Sequence, residues 1–221
     1  MRGKLIVFEG IEGSGKTTQI QHLRQWLDRR LATVAVDYPT GVIVTRQPGG
    51  TNIGQQIRQV LLQPLAGNDS LTSTSELLLY AADRAHHVER ILLPALETGH
   101  LVICDRYTDS TVAYQGYGRQ LNVDLIETLN TIATGGLVSD LTLWLKLDVA
   151  QGLERMAARG QADRIEQAGV EFHRRVHQGF VAQAQRHAER FITVDGSLSQ
   201  LAVAEQVQAV VSSHLQQWYA L

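Results

Sequence analysis

The chain has 221 residues, 44% of them hydrophobic, which suits one α/β domain with a sizeable core. A formal net charge of −2 excludes the global basic field that nucleic acid or an anionic membrane would call for, and a single cysteine excludes a disulfide framework. With no signal-peptide pattern and no apolar stretch near the roughly 20 residues of a membrane span, the expectation is a soluble cytosolic protein.

The apolar run 5–8 predicts a strand. It leads into Gly10-Ile11-Glu12-Gly13-Ser14-Gly15-Lys16-Thr17-Thr18, which completes the pattern G-x-x-x-x-G-K-[ST]. Ile20, Leu23, Trp26 and Leu27 follow at helical spacing. Strand, glycine-rich turn and helix in that order make a phosphate-binding loop. Glycines let the backbone curl until its N–H groups, and the helix N-terminus behind them, face an anion. Lys16 is then a mobile point charge for the β- and γ-phosphates, and the Thr17 hydroxyl a ligand to Mg²⁺. These residues predict binding of a nucleoside triphosphate.

Further extended segments are predicted at 33–36, 42–45, 101–104, 141–147 and 191–194, and helices at 17–30, 53–62, 73–97, 122–134, 149–159, 168–188 and 199–217. Strands alternating with helices predict a parallel sheet covered on both faces, in which ligands gather beyond the carboxyl ends of the strands. The polar clusters obey that rule: the segment 45–51 follows one strand, Asp105-Arg106-Tyr107 another, and Asp195-Gly196-Ser197 a third. Segments 63–75 and 159–170 read as loops, the second more charged and the better candidate for a mobile functional segment. Asp37-Tyr38-Pro39-Thr40-Gly41 reads as a turn, and Cys104 as a buried core residue.

A phosphate loop alone leaves ATPases, GTPases and small-molecule kinases open, but the guanine-reading N-K-x-D is absent. Arg46 and Arg106 follow different strands, and Arg84 shares a helix with Leu77, Leu78 and Tyr80. Arginine forks match phosphate bidentately, so arginines around a second pocket suggest an acceptor that is itself phosphorylated. Asp105 ends its strand where a Mg²⁺-associated carboxylate belongs, which suits a metal or water-positioning role, with a cap on the following helix as the alternative. The run 105–119 holds two glycines, three tyrosines and several hydroxyls, more than a plain connector needs. Arg155 and Arg159 lie four residues apart on one helical face, and Arg164 follows in Asp163-Arg164-Ile165-Glu166. Arginines on a closing lid suit a loose phosphoryl-transfer transition state, whose charge spreads over equatorial oxygens. The eight histidines have no metal-ligand spacing.

Taken in order, these motifs resemble the bacterial thymidylate kinases over nearly the whole chain. The match comprises 8–18, 45–51, Tyr80-Ala81-Ala82-Asp83-Arg84, Asp105-Arg106-Tyr107, Ala113-Tyr114-Gln115-Gly116 and 159–166. The resemblance implies a three-layer α/β P-loop fold: one kinase domain over 1–221, a central parallel five-stranded sheet, and an arginine-rich lid at about 155–170. It implies transfer of the γ-phosphoryl group of ATP to dTMP with Mg²⁺, in a cytoplasmic homodimer. Gly10, Ile11, Glu12, Gly13, Ser14, Gly15, Lys16, Thr17 and Thr18 would hold the ATP phosphates, with Thr17 and Asp105 on the metal. Glu12 would contact the acceptor sugar, and Arg46 and Arg106 would clamp its phosphate. Tyr80 would stack on thymine and Arg84 reach its carbonyl edge. Ser110, Thr111 and Gln115 would line the pocket, while Tyr114 would leave no room for a 2′-hydroxyl. Lys16, Arg106, Arg155, Arg159 and Arg164 would be catalytic. Gly13 stands where some members carry a catalytic arginine, Gln47 where Glu is usual, and Tyr80 where Phe is usual.

Two other readings share parts of this pattern. A P-loop enzyme for another acceptor, such as dUMP, or one coupling ATP hydrolysis to ligation, would keep the loop and change the pocket. An ATP-binding switch would need no acceptor pocket at all.

Overall fold

The computed structural model describes residues 1–32, 39–63, 71–160 and 163–220, apart from the side chain of Arg159. Five strands, β1 (Lys4–Glu9), β2 (Val42–Arg46), β3 (Leu101–Asp105), β4 (Leu141–Lys146) and β5 (Phe191–Asp195), form one sheet in the order β2-β3-β1-β4-β5. Every neighbouring pair is parallel. Central parallel strands are covered on both faces and read as unbroken apolar runs. That is why Leu5, Ile6, Val7 and Phe8 are all fully buried.

Alternation along β1 separates two cores. Ile6 and Phe8 meet Leu23 and Leu27 of α1 (Lys16–Ala32) and Val207 and Val211 of α9 (Gln200–Tyr219). Leu5 and Val7 point the other way, to Val88, Leu92 and Leu96. Cys104 lies in that second core, fully buried, as its apolar run predicted. The result is the three-layer α/β P-loop fold expected from the sequence.

Most helices fall where periodicity placed them: α2 (Asn52–Leu62), α6 (Val123–Thr134), α7 (Val149–Arg159) and α8 (Val170–Arg186). Their starts have a chemical cause, since Thr51, Asn122 and Asp148 each accept a hydrogen bond from a backbone N–H in the first turn. The helix predicted at 73–97 is α3 (Ser73–His87), a π-helical turn (Val88–Leu92) and α4 (Leu93–Glu97) in succession. The predicted strand 33–36, Asp37 and Tyr38 of the predicted turn, and 64–70 of the predicted loop lie outside the described residues.

One helix was not predicted. Residues after β3 coil into α5 (Thr108–Thr111) and a π-helical stretch (Val112–Gly118). Thr, Ser, Val and Gly are weak helix formers, so local propensity pointed elsewhere. Packing overrides it. A Cβ on Gly118 would stand 2.6 Å from the Phe172 ring, and one on Gly179 would stand 2.8 Å from the Ala113 Cα. Of the two glycines that looked excessive for a connector, Gly118 lets α8 lie directly against this helix, as Gly179 does from the α8 side, while Gly116 faces Val123 and Ile126 of α6.

The same helix is pinned by a buried ion pair. Asp109 receives both terminal nitrogens of Arg190 at 2.9 Å, and Arg190 also donates to Ser139 and Thr142. Deleting one partner of such a pair strands the other charge. Asp109→Ala should therefore lower the unfolding free energy by about 3–5 kcal/mol in denaturant titrations.

Candidate active site

The carboxyl ends of β1, β2 and β3 open onto a cavity of about 690 Å³. Its wall includes Glu12, Lys16, Thr17, Arg46, Tyr80, Arg84, Asp105, Arg106, Ser110, Thr111, Tyr114, Gln115 and Arg155. A smaller adjoining cavity of about 380 Å³ shares Thr17, Arg46 and Asp105. Residues from five separate stretches of the sequence therefore meet in one place.

Lys16 donates to the carbonyls of Gly10 and Ile11, both at 3.0 Å, and more weakly to the Ser14 hydroxyl. Burial, with Arg106 nearby, lowers its pKa. Gly13 has φ +75°, and a Cβ there would stand 2.4 Å from the Gly152 carbonyl oxygen. An arginine could not replace Gly13 without displacing α7, so this loop rests against the helix that carries Arg155.

Arg106 joins the loop to the far wall. It takes a left-handed backbone, φ 69°, a strained conformation for a residue with a side chain. One terminal nitrogen donates to Gly10 O at 3.0 Å and Ser110 Oγ at 3.1 Å. The other donates to Glu12 Oε1 at 2.5 Å and the Tyr114 hydroxyl at 3.1 Å. Burial opposes its charge, but Glu12, Tyr114 and Asp105 hold its pKa well above the ordinary arginine value.

Arg84 is almost fully buried and committed in several directions, to Gln47 Oε1, Asn130 Oδ1, Tyr107 O and Thr111 Oγ1. Gln115 donates to Glu76 at 2.8 Å. Glu76 also receives Arg119 and, at 2.5 Å, Arg164. Burial would raise the Glu76 pKa, but the bonds from Arg119, Gln115 and Arg164 win and lower it.

The lid candidates separate. Arg155 lines the cavity and donates to Gly196 O at 3.2 Å. Arg164 is not on the cavity wall, because its guanidinium is held by Glu76 and Leu61 O. The Arg159 side chain, Gln161 and Ala162 lie outside the described residues.

For a metal, the informative atom is Asp105 Oδ1, which is buried with no hydrogen-bond partner. Asp105 and Thr17 line both cavities. A bare carboxylate oxygen beside a hydroxyl fits a hard cation or its water shell. Among the described residues no group of three or more His, Cys, Asp or Glu gathers at metal distance. These residues therefore fit an ion that shares its ligands with phosphates and water rather than one caged by protein.

Several residues of the site escaped the sequence reading. Arg58 lines the cavity, its pKa lowered by burial and by Arg46. Glu76 and His87 share a helix face with Tyr80 and Arg84, and polar residues at that spacing were the available signal. Glu9 ends β1 at the strand terminus where ligands gather, which also marked it. It accepts from the backbone N–H groups of Tyr107 and Ser110 and from Ser110 Oγ at 2.5 Å.

A glycine-rich P-loop facing an arginine-bearing wall across one cavity, at the carboxyl ends of a parallel sheet, defines the class: a P-loop phosphotransferase. Comparison with known proteins narrows it. The profile of the family described as Thymidylate kinase matches residues 8–207. A thymidylate kinase of Cyanothece sp. is 54% identical, covering 99% of this chain and 97% of its own. Those of Trichodesmium erythraeum and Gloeobacter violaceus are 50% and 51% identical, covering 99% and 95% of each chain in turn. The chain belongs to the thymidylate kinase family.

Burial pushes the Glu9 carboxyl from its ordinary 4.5 up to about 7, against the pull of Arg106. Between those two values the folded chain holds a proton that the unfolded chain releases, so stability falls as pH rises. The loss across this window is roughly 3 kcal/mol. Glu9→Gln, which mimics the protonated acid, should remove that slope from unfolding free energies measured between about pH 5 and pH 7.

Proposed function

We propose that this chain transfers the γ-phosphoryl group of ATP to dTMP, giving ADP and dTDP, and so serves dTTP synthesis. The observation that carries the reading is Arg106, whose guanidinium touches both the phosphate loop at Gly10 and Glu12 and the opposite wall at Ser110 and Tyr114. A cation at that seam suits an acceptor phosphate facing a donor phosphate. An ATP-binding switch would have no use for the second wall.

The loop backbone from Gly10 to Thr18, with Lys16, holds the donor phosphates. Lys16 exchanges its present carbonyl partners for them. Arg46 and Arg106 grip the acceptor phosphate, and Glu12 turns to the sugar hydroxyl once that phosphate takes Arg106. Tyr80 stacks on the base, Arg84 meets its carbonyl edge, Ser110, Thr111 and Gln115 complete the pocket, and Tyr114 fills the space of a 2′-hydroxyl. An acceptor phosphate oxygen then forms a bond to the γ-phosphorus while the bond to the ADP oxygen breaks in line. Thr17 and Asp105 would hold Mg²⁺, which would supply charge that neutralises the phosphates.

Arg155, Arg159 and Arg164 belong to a lid at about 155–170 within a single domain. Arg164 reaches the cavity only by leaving Glu76. A second copy of the chain is the partner, since α3 and α6 leave Leu78, Leu125 and Ile132 more than half exposed. No helix among the described residues is long and apolar enough to cross a membrane. With a buried free cysteine besides, the cytoplasm suits the protein.

A coupled ADP-release assay with ATP and Mg²⁺ tests the reading, offering dTMP, dUMP, the ribose form of TMP, dCMP and dGMP in parallel. Turnover with dTMP, and weak activity on the ribose form, is expected; equal rates on all five would defeat the thymine assignment. Arg106→Ala should cost about 2–4 kcal/mol in kcat/KM for dTMP while leaving ATP binding within a few-fold. Near-normal dTMP kinetics in that variant would show that the clamp is misassigned.

A further inference from the structure

We propose that Gln47 is a positioning residue for Arg84, set in a single orientation by a one-way hydrogen-bond chain that runs through His87 to Thr45. The proposal deepens the function above, resting on the assignment of Arg84 to the acceptor base.

The direction of the chain follows from which groups can donate. Arg84 Nε lies 3.0 Å from Gln47 Oε1, and a guanidinium has donors only, so the carbonyl end of Gln47 must face it. The Gln47 amide nitrogen is therefore left to His87 Nδ1, at 2.8 Å. An amide NH₂ can only donate, which makes Nδ1 an acceptor and puts the imidazole proton on Nε2. Nε2 stands 2.7 Å from Thr45 Oγ1, which accepts. Four residues from β2, its following loop and α3 thus share one polarity, and no member can reverse alone.

Packing locks the ring in place. His87 is fully buried, and a Cβ on Gly50 would lie 2.5 Å from the imidazole. Burial, with Arg84 and His86 adding to it, lowers the His87 pKa to about 4, so the ring stays neutral at ordinary pH. The remaining edges of Arg84 are tied to Asn130, Thr111 and Tyr107. Its guanidinium plane on the cavity wall is consequently determined from every side, with Gln47 closing the Nε edge.

Glutamine differs here from the glutamate usual in the resembled family. A carboxylate would also accept from Arg84, but it would offer His87 no donor and would require the proton on Nδ1. It would also neutralise part of the arginine charge. Gln47 holds Arg84 by its dipole and leaves that charge for the ligand.

The test combines side-chain ¹⁵N NMR with kinetics. In the wild-type enzyme the His87 resonance, identified by its loss in His87→Gln, should show a bare Nδ1 and a protonated Nε2. Gln47→Glu should move the proton to Nδ1. Gln47→Leu should raise KM for dTMP about tenfold, the scale of one lost hydrogen bond to a charged group, with KM for ATP within about twofold. A protonated Nδ1 in the wild type, or an unchanged tautomer in Gln47→Glu, overturns the chain. If Arg84→Met raises KM for dTMP but Gln47→Leu does not, positioning by Gln47 is wrong while the base assignment stands. If Arg84→Met leaves that KM unchanged, the base assignment falls and the proposal with it.

Discussion

The contact on which the site depends is the one between Arg106 and Glu12. Glu12 is carried by the phosphate loop at the end of β1, whereas Arg106 follows β3, and the two strands lie side by side in register. Their ion pair draws the loop and the helix at 108–118 to a common centre, with Gly10, Ser110 and Tyr114 on the same guanidinium. A pair this enclosed stabilises little by itself, because desolvation consumes most of the Coulomb gain. Its value is geometric. It holds the P-loop and the helix after β3 at a fixed separation while leaving a cation on the cavity wall.

Around that centre several buried acids are given multiple donors. Glu76 takes three donors from two elements, Asp109 takes a bidentate arginine, and Glu9 takes two backbone N–H groups and a hydroxyl. Glu76 has a further consequence. It gathers Gln115, from the wall of the large cavity, and Arg164, from the segment beyond α7, on one carboxylate. The pocket wall and that segment are physically continuous.

Much of this was legible in the sequence for a simple reason. A central parallel strand must be apolar on both faces, so 5–8 and 101–104 announced themselves, and polar residues could cluster only after the strand ends. The phosphate loop, Arg46, Asp105 and Arg106 were found by that logic and do converge. Tertiary partners were the part it could not supply. The helix at 108–118 goes against its own propensities and forms because glycines on both sides admit α8. Arg164 looked like a lid arginine by spacing alone, and nothing local revealed that Glu76, 88 residues earlier, would hold it. His87 looked like one more helical histidine, since its partners Thr45 and Gln47 lie some 40 residues away.

The position of β1 bears on how the chain is made. It precedes the other four strands in the chain, yet it sits at the centre of the sheet, and its neighbours β3 and β4 begin at Leu101 and Leu141. At about 5–20 residues per second, β1 waits on the order of ten seconds before either partner emerges. During that interval Leu5 to Phe8 are unpaired along both edges; Ile6 and Phe8 can meet α1, but Leu5 and Val7 must wait for Val88, Leu92 and Leu96. Such a segment is a natural target for self-association or for a chaperone. The strand that delivers the phosphate loop is thus also the longest-standing liability among the five, and completion of the sheet must await β5 at Phe191–Asp195.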